Sequence, residues 1–248
     1  VTRLPAAVAF LTRIPIPLAA PLDGKAVGRA SIFFPAVGLL IGAVQAGTAM
    51  LLLQRLPDPI VAVLVVAVGV LLTGALHLDG LADTADGLGG GRSREHALEI
   101  MRDHSVGAYG AAAIALSIAL RIAALSSVTM FGAEGLRWMV LAPALGRLAP
   151  VLLGRVLPYA RPGGGLGQAV TNGGVGNAEL AGATATALVA AALLAGWNGA
   201  GAVAIALAVV IVFGALCRRK LGGVTGDTLG AAVELVEAAV LVAAVALR

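Results

Sequence analysis

Apolar stretches with no charge at all limit what this chain can fold into. Residues 60–76, 181–197 and 199–216 contain no Asp, Glu, Lys or Arg. Each is close to the ~20 residues that a helix needs to cross a bilayer core. About seven such segments can be traced, roughly at 32–54, 60–77, 107–128, 136–154, 181–197, 199–216 and 229–247. A soluble core could enclose one or two of them, but not the whole set. Charged residues make up only 12% of the chain, against about 25% in soluble domains. Lipid offers the backbone no hydrogen bonds, so the spans must be helices or a closed barrel. No two-residue alternation marks strands. The expectation is all-α: a polytopic transmembrane helical bundle of about seven spans, forming one domain over 1–248 with no linker and no internal repeat. The 34 glycines suit close helix packing.

Several breaks are expected. Pro35 should kink the first span, and Pro143 and Pro150 the fourth. Asn198 should turn a tight helical hairpin between 181–197 and 199–216. The first 19 residues, with Arg3 and Arg13 around an apolar run, suggest an interfacial segment rather than a cleaved signal. Cys217, the single cysteine, has no partner for an intrachain disulfide and is expected to be an ordinary small residue.

Cations set the orientation. With the N-terminus in the cytoplasm, that side receives Arg3, Arg13, Lys25, Arg29, Arg92, Arg94, Arg102, Arg155, Arg161, Arg218, Arg219 and Lys220. The other side receives only Arg55, Arg137 and Arg248. This bias follows the positive-inside rule.

Polar residues are few, so they carry the functional signal. In HLDGLADTADG (77–87), Asp79, Asp83 and Asp86 recur at i, i+4 and i+7, which stacks them on one helical face. Like charges at that spacing repel, and no Lys or Arg lies between His77 and Gly91. The stretch is either a divalent-cation site or a solvated polar loop; hard ions such as Mg²⁺ take carboxylate and phosphate oxygens. Asp103 precedes a glycine-broken entry into the next span, where it could be a ligand or a helix cap. Arg218, Arg219 and Lys220 stand beside a glycine-rich turn with Thr225 and Asp227; they can anchor a helix end or meet an anion. Glu234 shares a helical face with Asp227, and Glu237 is one turn away. Arg147 lies too deep in its span to snorkel, so it should meet a carboxylate or a phosphate. Arg121 is similarly deep and could pair structurally. The loop from Arg161 through the glycines to Asn172 could form a lid. All the acidic stretches fall at one face in this topology, which suits phosphoryl transfer.

The strings HLDGLADTADG (77–87), MRDHSVGAYG (101–110) and GGVTGDTLGA (222–231), with FLTRIPIP (10–17), FFPAVG (33–38) and GRLAP (146–150), together resemble the bacterial cobalamin synthase family. The resemblance runs from about residue 8 to the C-terminus. It implies transfer of the adenosylcobinamide phosphate moiety from adenosylcobinamide-GDP to α-ribazole or α-ribazole 5′-phosphate. The products are adenosylcobalamin or its phosphate, and GMP. It also implies Mg²⁺, small corrinoid and nucleotide substrates, and the bacterial cytoplasmic membrane with the site on its cytoplasmic side. No nucleic-acid partner is implied, and oligomerisation is left open. By residue, it implies Asp79, Asp83, Asp86 and Asp103 as metal ligands. Asp83, Asp86, Asp103 and Arg147 would form the catalytic set, with Asp86 accepting the nucleophile's proton. His77, Arg102, Arg218, Arg219, Lys220, Thr225, Asp227 and Glu234 would bind substrate. One departure is that many relatives have a basic residue where this chain has Ser105, next to His104. The rival classes are a CDP-alcohol phosphotransferase-like lipid enzyme and a cation-coupled transporter.

Overall fold

The computed structural model describes residues 2–18, 21–103, 105–161, 166–171 and 174–247. His104, Arg248 and the glycine run of the expected lid lie outside the described residues. The chain is a helical bundle. It comprises α1 (Arg3–Leu11), α2 (Gly24–Ala30), α3 (Phe34–Leu52), α4 (Asp58–Thr73), α5 (Leu76–Gly90), α6 (Arg94–Ile100), α7 (Ala108–Thr129), α8 (Ala133–Val156), α9 (Asn177–Leu221) and α10 (Gly226–Ala246).

Five helical segments are long and apolar enough to cross a membrane, or six if the bent pair α4–α5 is one span. The expected figure of about seven is not reached on that count, and α9 is the reason. Its 45 residues would run ~68 Å if straight, more than twice a ~30 Å bilayer core. The helix does not run straight: Gly196 adopts φ 54°, ψ −127°. A Cβ on Gly199 would lie 2.3 Å from the Ala191 carbonyl oxygen. Residues eight apart meet only if the chain doubles back, so α9 is two antiparallel halves. The hairpin is there, but it turns at Gly196 rather than Asn198. Neither residue 197 nor 198 could replace a glycine in that turn, and Trp197 is left exposed at the tip.

Prolines act where their chemistry allows. Asp23 caps α2 by accepting from the Ala26 N–H at 2.7 Å. A 3₁₀ turn over Ser31–Phe33 joins α2 to α3. Pro35 falls in the first turn of α3, where a missing N–H costs nothing. Pro143 and Pro150 sit inside α8, which continues through both. Gly38 and Gly42 press α3 against this stretch: a Cβ on Gly38 would come 2.3 Å from the Pro143 carbonyl oxygen. Small residues one turn apart allow such backbone contact in lipid, where packing drives association. α8 is the hub, packed most extensively on α3, α9 and α10. The N-terminal segment is helical and docked, with Ala6, Ala7, Val8 and Leu11 buried.

The feature that positions the site is the 91° bend between α4 and α5. Gly74 ends α4 at φ 62°, and Ala75 follows at φ 59°. The Arg13 N–H donates to the Leu72 carbonyl at 2.7 Å, so the N-terminal segment holds this corner. α5 therefore turns across the bundle and packs on α10 and α7.

Gly196→Val should lower stability in detergent by about 1–3 kcal/mol, the cost of a non-glycine residue in sparsely allowed backbone space. Gly47→Ala, where an added Cβ meets nothing within 4 Å, should not; thermal unfolding monitored by circular dichroism checks both.

Candidate active site

Two neighbouring polar layers meet along α10, one around the middle of the helix and the other at its N-terminal end. The deeper layer is built from charges. Arg121 of α7 pairs with Glu234 of α10 and reaches Glu237 at 3.6 Å. Arg147 of α8 pairs with Glu237. All four side chains are at most 6% exposed. Ser117 donates to Glu234 at 3.3 Å. Two guanidinium groups facing two carboxylates leave no net charge in the layer, which is how ionisable groups survive at membrane depth. Arg147 also approaches His77 Nδ1 at 3.5 Å, which links the layer to α5. The carboxylate partner expected for Arg147 is thus Glu237, and Arg121 pairs structurally.

The second layer opens into a cavity of about 260 Å³. His77, Asp79, Tyr159, Arg161 and Asp227 line it together with Phe10, Leu11, Phe34, Pro150, Leu229 and Val233. Asp79 is exposed and Asp83, one turn further along α5, is half-buried. Asp227 stands in the first turn of α10 and forms an ion pair with Arg161. The Thr225 hydroxyl donates to Asp227 at 3.3 Å. Arg161 also donates to the Met101 carbonyl at 2.9 Å, and its Nε has no hydrogen-bond partner among the described residues. Tyr159 lies in the connection after α8; burial pushes its phenol above the ordinary value, so it stays a neutral hydrogen-bonding group.

Several expected site residues are placed elsewhere. Asp86 is buried and caps α7: its Oδ2 accepts from the Gly107 N–H at 2.7 Å and its Oδ1 from the Gly110 N–H at 2.9 Å. A carboxylate at a helix N-terminus is stabilised there, so backbone N–H groups answer the charge of Asp86. Asp103 is exposed, and its Oδ1 accepts from the Ser105 N–H at 3.0 Å. Arg102 is exposed. Arg218, Arg219 and Lys220 are exposed on the last turn of α9, outside the cavity lining. Thr225 is fully buried as the cap of α10, in a reciprocal box with Thr228. Glu234 and Arg147 belong to the charge layer rather than to the cavity wall. Only His77, Asp79 and Asp227 of the expected set line the cavity. Arg161, Tyr159 and the Phe10–Phe34 pair join them. The signal for Arg161 was a lone cation before a glycine run; its partner, 66 positions away, could not be read locally.

Among the described residues, no three His, Cys, Asp or Glu side chains converge to hold a metal ion, so the expected cage of Asp79, Asp83, Asp86 and Asp103 is not formed. Mg²⁺ needs less than a cage: it is bound through one or two carboxylates, with waters and substrate phosphates completing its shell. Asp79 and Asp83 offer that donor chemistry beside the cavity.

The fold and cavity define a class: a polytopic helical membrane protein with an acidic, arginine-paired chamber at one end of the bundle. The family follows from sequence comparison. Residues 3–245 match the model of the cobalamin-5-phosphate synthase family, and the chain belongs to that family. An adenosylcobinamide-GDP ribazoletransferase from Syntrophobacter fumaroxidans is 42% identical over 240 residues, covering 96% of each chain. Proteins of the same name from Rhizobium etli and Escherichia coli are 43% and 39% identical, covering 96% of this chain and 94% and 97% of theirs. No solved structure matches. This membership does not favour the lipid-enzyme and transporter readings.

Arg147→Leu alone should strand Glu237 and cost about 3–5 kcal/mol. The double change Arg147→Leu with Glu237→Leu removes both charges and should recover much of that loss. Denaturation in detergent of the two single variants and the double variant measures the coupling; a loss in the double variant equal to the sum of the two single losses would show that the pair carries no shared energy.

Proposed function

We propose that this chain transfers the adenosylcobinamide phosphate moiety from adenosylcobinamide-GDP to α-ribazole or α-ribazole 5′-phosphate, releasing GMP, at the cavity between α5 and α10. The observation that carries this is the meeting in one chamber of Asp79 from 77–87 and the Asp227–Arg161 pair from 222–231 and the loop after α8. The names of the relatives supply the substrates.

The chain's own groups divide the work. The Arg161 guanidinium, held by Asp227 and by the Met101 carbonyl, places a fixed positive charge in the cavity wall for a phosphate oxygen. Charge developing on the transferred phosphoryl group is stabilised by such pre-placed donors. A free ribose hydroxyl of the acceptor, not its 5′-oxygen, attacks the cobinamide-bound phosphorus, the bond from that phosphorus to the GMP oxygen breaks, and the hydroxyl's proton passes to a carboxylate. Asp79, exposed in the cavity, suits this last step better than Asp86, whose two oxygens already accept backbone N–H groups. Mg²⁺, held by Asp79 and Asp83, would screen the diphosphate charge and the departing GMP. The cation distribution supports a cytoplasmic location for the site in the bacterial inner membrane.

Purified Asp79→Asn and Asp83→Asn variants should release GMP from adenosylcobinamide-GDP at least about a hundredfold more slowly, the scale of a major electrostatic contact. Glu95→Gln, on the exposed start of α6, should match the parent. Near-normal release by both aspartate variants would overturn the site.

Orientation has its own test. A cysteine at position 92, in a Cys217→Ser background, should resist membrane-impermeant maleimide added from the periplasmic side and react after permeabilisation. Strong external labelling would invert the topology.

A further inference from the structure

The cavity has a size and a chemistry that suit only part of this reaction's substrates. Pockets for drug-sized ligands run about 300–1,000 Å³; this one holds about 260 Å³. A corrin macrocycle with its side chains is several times too large to enter. A fused two-ring base is not.

The wall narrows the choice between bases. Phe10 and Phe34 stack with centroids 5.8 Å apart and planes 15° apart, and both line the cavity. Phe34 is almost wholly covered, so it backs the half-buried Phe10, whose ring can receive a further one by offset or edge contact. Leu11, Pro150 and Val233 add only carbon. The polar lining groups Asp79, Tyr159, Arg161 and Asp227 are the ones the ribose and the reacting phosphate require, so the base is left the carbon wall, where the exocyclic amine and amide edge of guanine would lack partners.

His77 is the most buried of the polar side chains that line the cavity. His77 is 4% exposed, and its Nδ1 faces Arg147 at 3.5 Å. A guanidinium only donates, so Nδ1 accepts and Nε2 carries the hydrogen. The cavity thus presents one buried imidazole donor beside its apolar wall. An alkyl-substituted benzimidazole riboside matches this: its base carries a single unsubstituted ring nitrogen, which accepts, and otherwise carbon. Asp79 and the Asp227–Arg161 pair, which are the more exposed lining groups, suit its ribose hydroxyls.

We infer that the cavity is the acceptor subsite, with the benzimidazole base of ribazole seated against Phe10 and its free ring nitrogen accepting from His77 Nε2, while the corrinoid donor stays outside. This rests on the function proposed above. His77 then determines specificity for the base, and the Arg147–Glu237 pair acts as its positioning support by fixing the tautomer.

The test uses the purified parent protein first. α-Ribazole is compared by calorimetry with its analogue in which the free ring nitrogen is replaced by CH, and with guanosine. The parent should bind α-ribazole about tenfold more tightly than the CH analogue, as expected for one buried hydrogen bond, and guanosine more weakly still. His77→Phe should lose the preference for the nitrogen and bind both ribosides alike. Val233→Phe, which fills the cavity, should raise KM for α-ribazole at least about tenfold while moving KM for adenosylcobinamide-GDP less than about twofold, the pattern of a lost acceptor contact. Equal binding of both ribosides by the parent overturns the His77 assignment, even if every variant misfolds. A rise in KM for adenosylcobinamide-GDP alone in Val233→Phe assigns the cavity to the donor and overturns the inference while leaving the activity intact. If the parent releases no GMP with both substrates present, the functional reading fails and the subsite assignment falls with it.

Discussion

Charged groups at membrane depth have no water to fall back on, and the rest of this structure depends on how four of them are matched. Arg121 and Arg147 answer Glu234 and Glu237 from three different helices, α7, α8 and α10. Through His77 a fourth helix, α5, is tied to the same layer. Apolar surfaces in lipid slide past each other at little cost, because lipid tails are as apolar as the side chains they replace. A buried ion pair does not slide, since a small displacement leaves a charge uncompensated. The layer therefore sets the register of the helices whose ends build the chamber.

The chamber also depends on a corner. Gly74 and Ala75 turn α5 by 91° away from α4, and without that turn HLDGLADTADG would continue as an ordinary span with its aspartates in lipid. The turn brings His77 down to the charge layer and leaves Asp79 open to the cavity. Asp86 then lands on the N-terminus of α7, where backbone N–H groups neutralise it. Three aspartates on one stripe thus take different tasks at different depths: one exposed, one half-buried and one buried. The repulsion that the spacing alone implies is relieved largely by a helix terminus and, at Asp227, by Arg161.

Much of the architecture was legible. Uncharged runs of span length announced the helices, and the hairpin between 181–197 and 199–216 was expected and found. Its turn was displaced by two residues because Asn198 looked like the turn former, whereas the backbone demanded the glycine at 196. The count of spans differed because length and hydropathy treat a doubled helix as one. At the site, the acidic motifs supply Asp79 and Asp227 to the cavity, whereas Arg147 lies in the charge layer and the basic run at 218–220 stands outside the lining. A cluster of cations at a helix end serves as well for anchoring as for binding, so its place could not be read from the sequence.

By itself the sequence determined that the chain is helical and polytopic, which residues are too polar to face lipid, and, through its motifs, to which family it belongs. These properties are local: hydropathy, helical period and short strings survive without knowledge of neighbours. Only the tertiary structure decided that Arg161 meets Asp227, that Arg147 meets Glu237, that Asp86 caps α7, and that Phe10 and Phe34 wall the chamber. Each of these joins residues from segments that are remote along the chain. Which carboxylate meets an arginine, a backbone N–H or a substrate depends on helix depth and rotation, and those are set by packing between helices rather than within them.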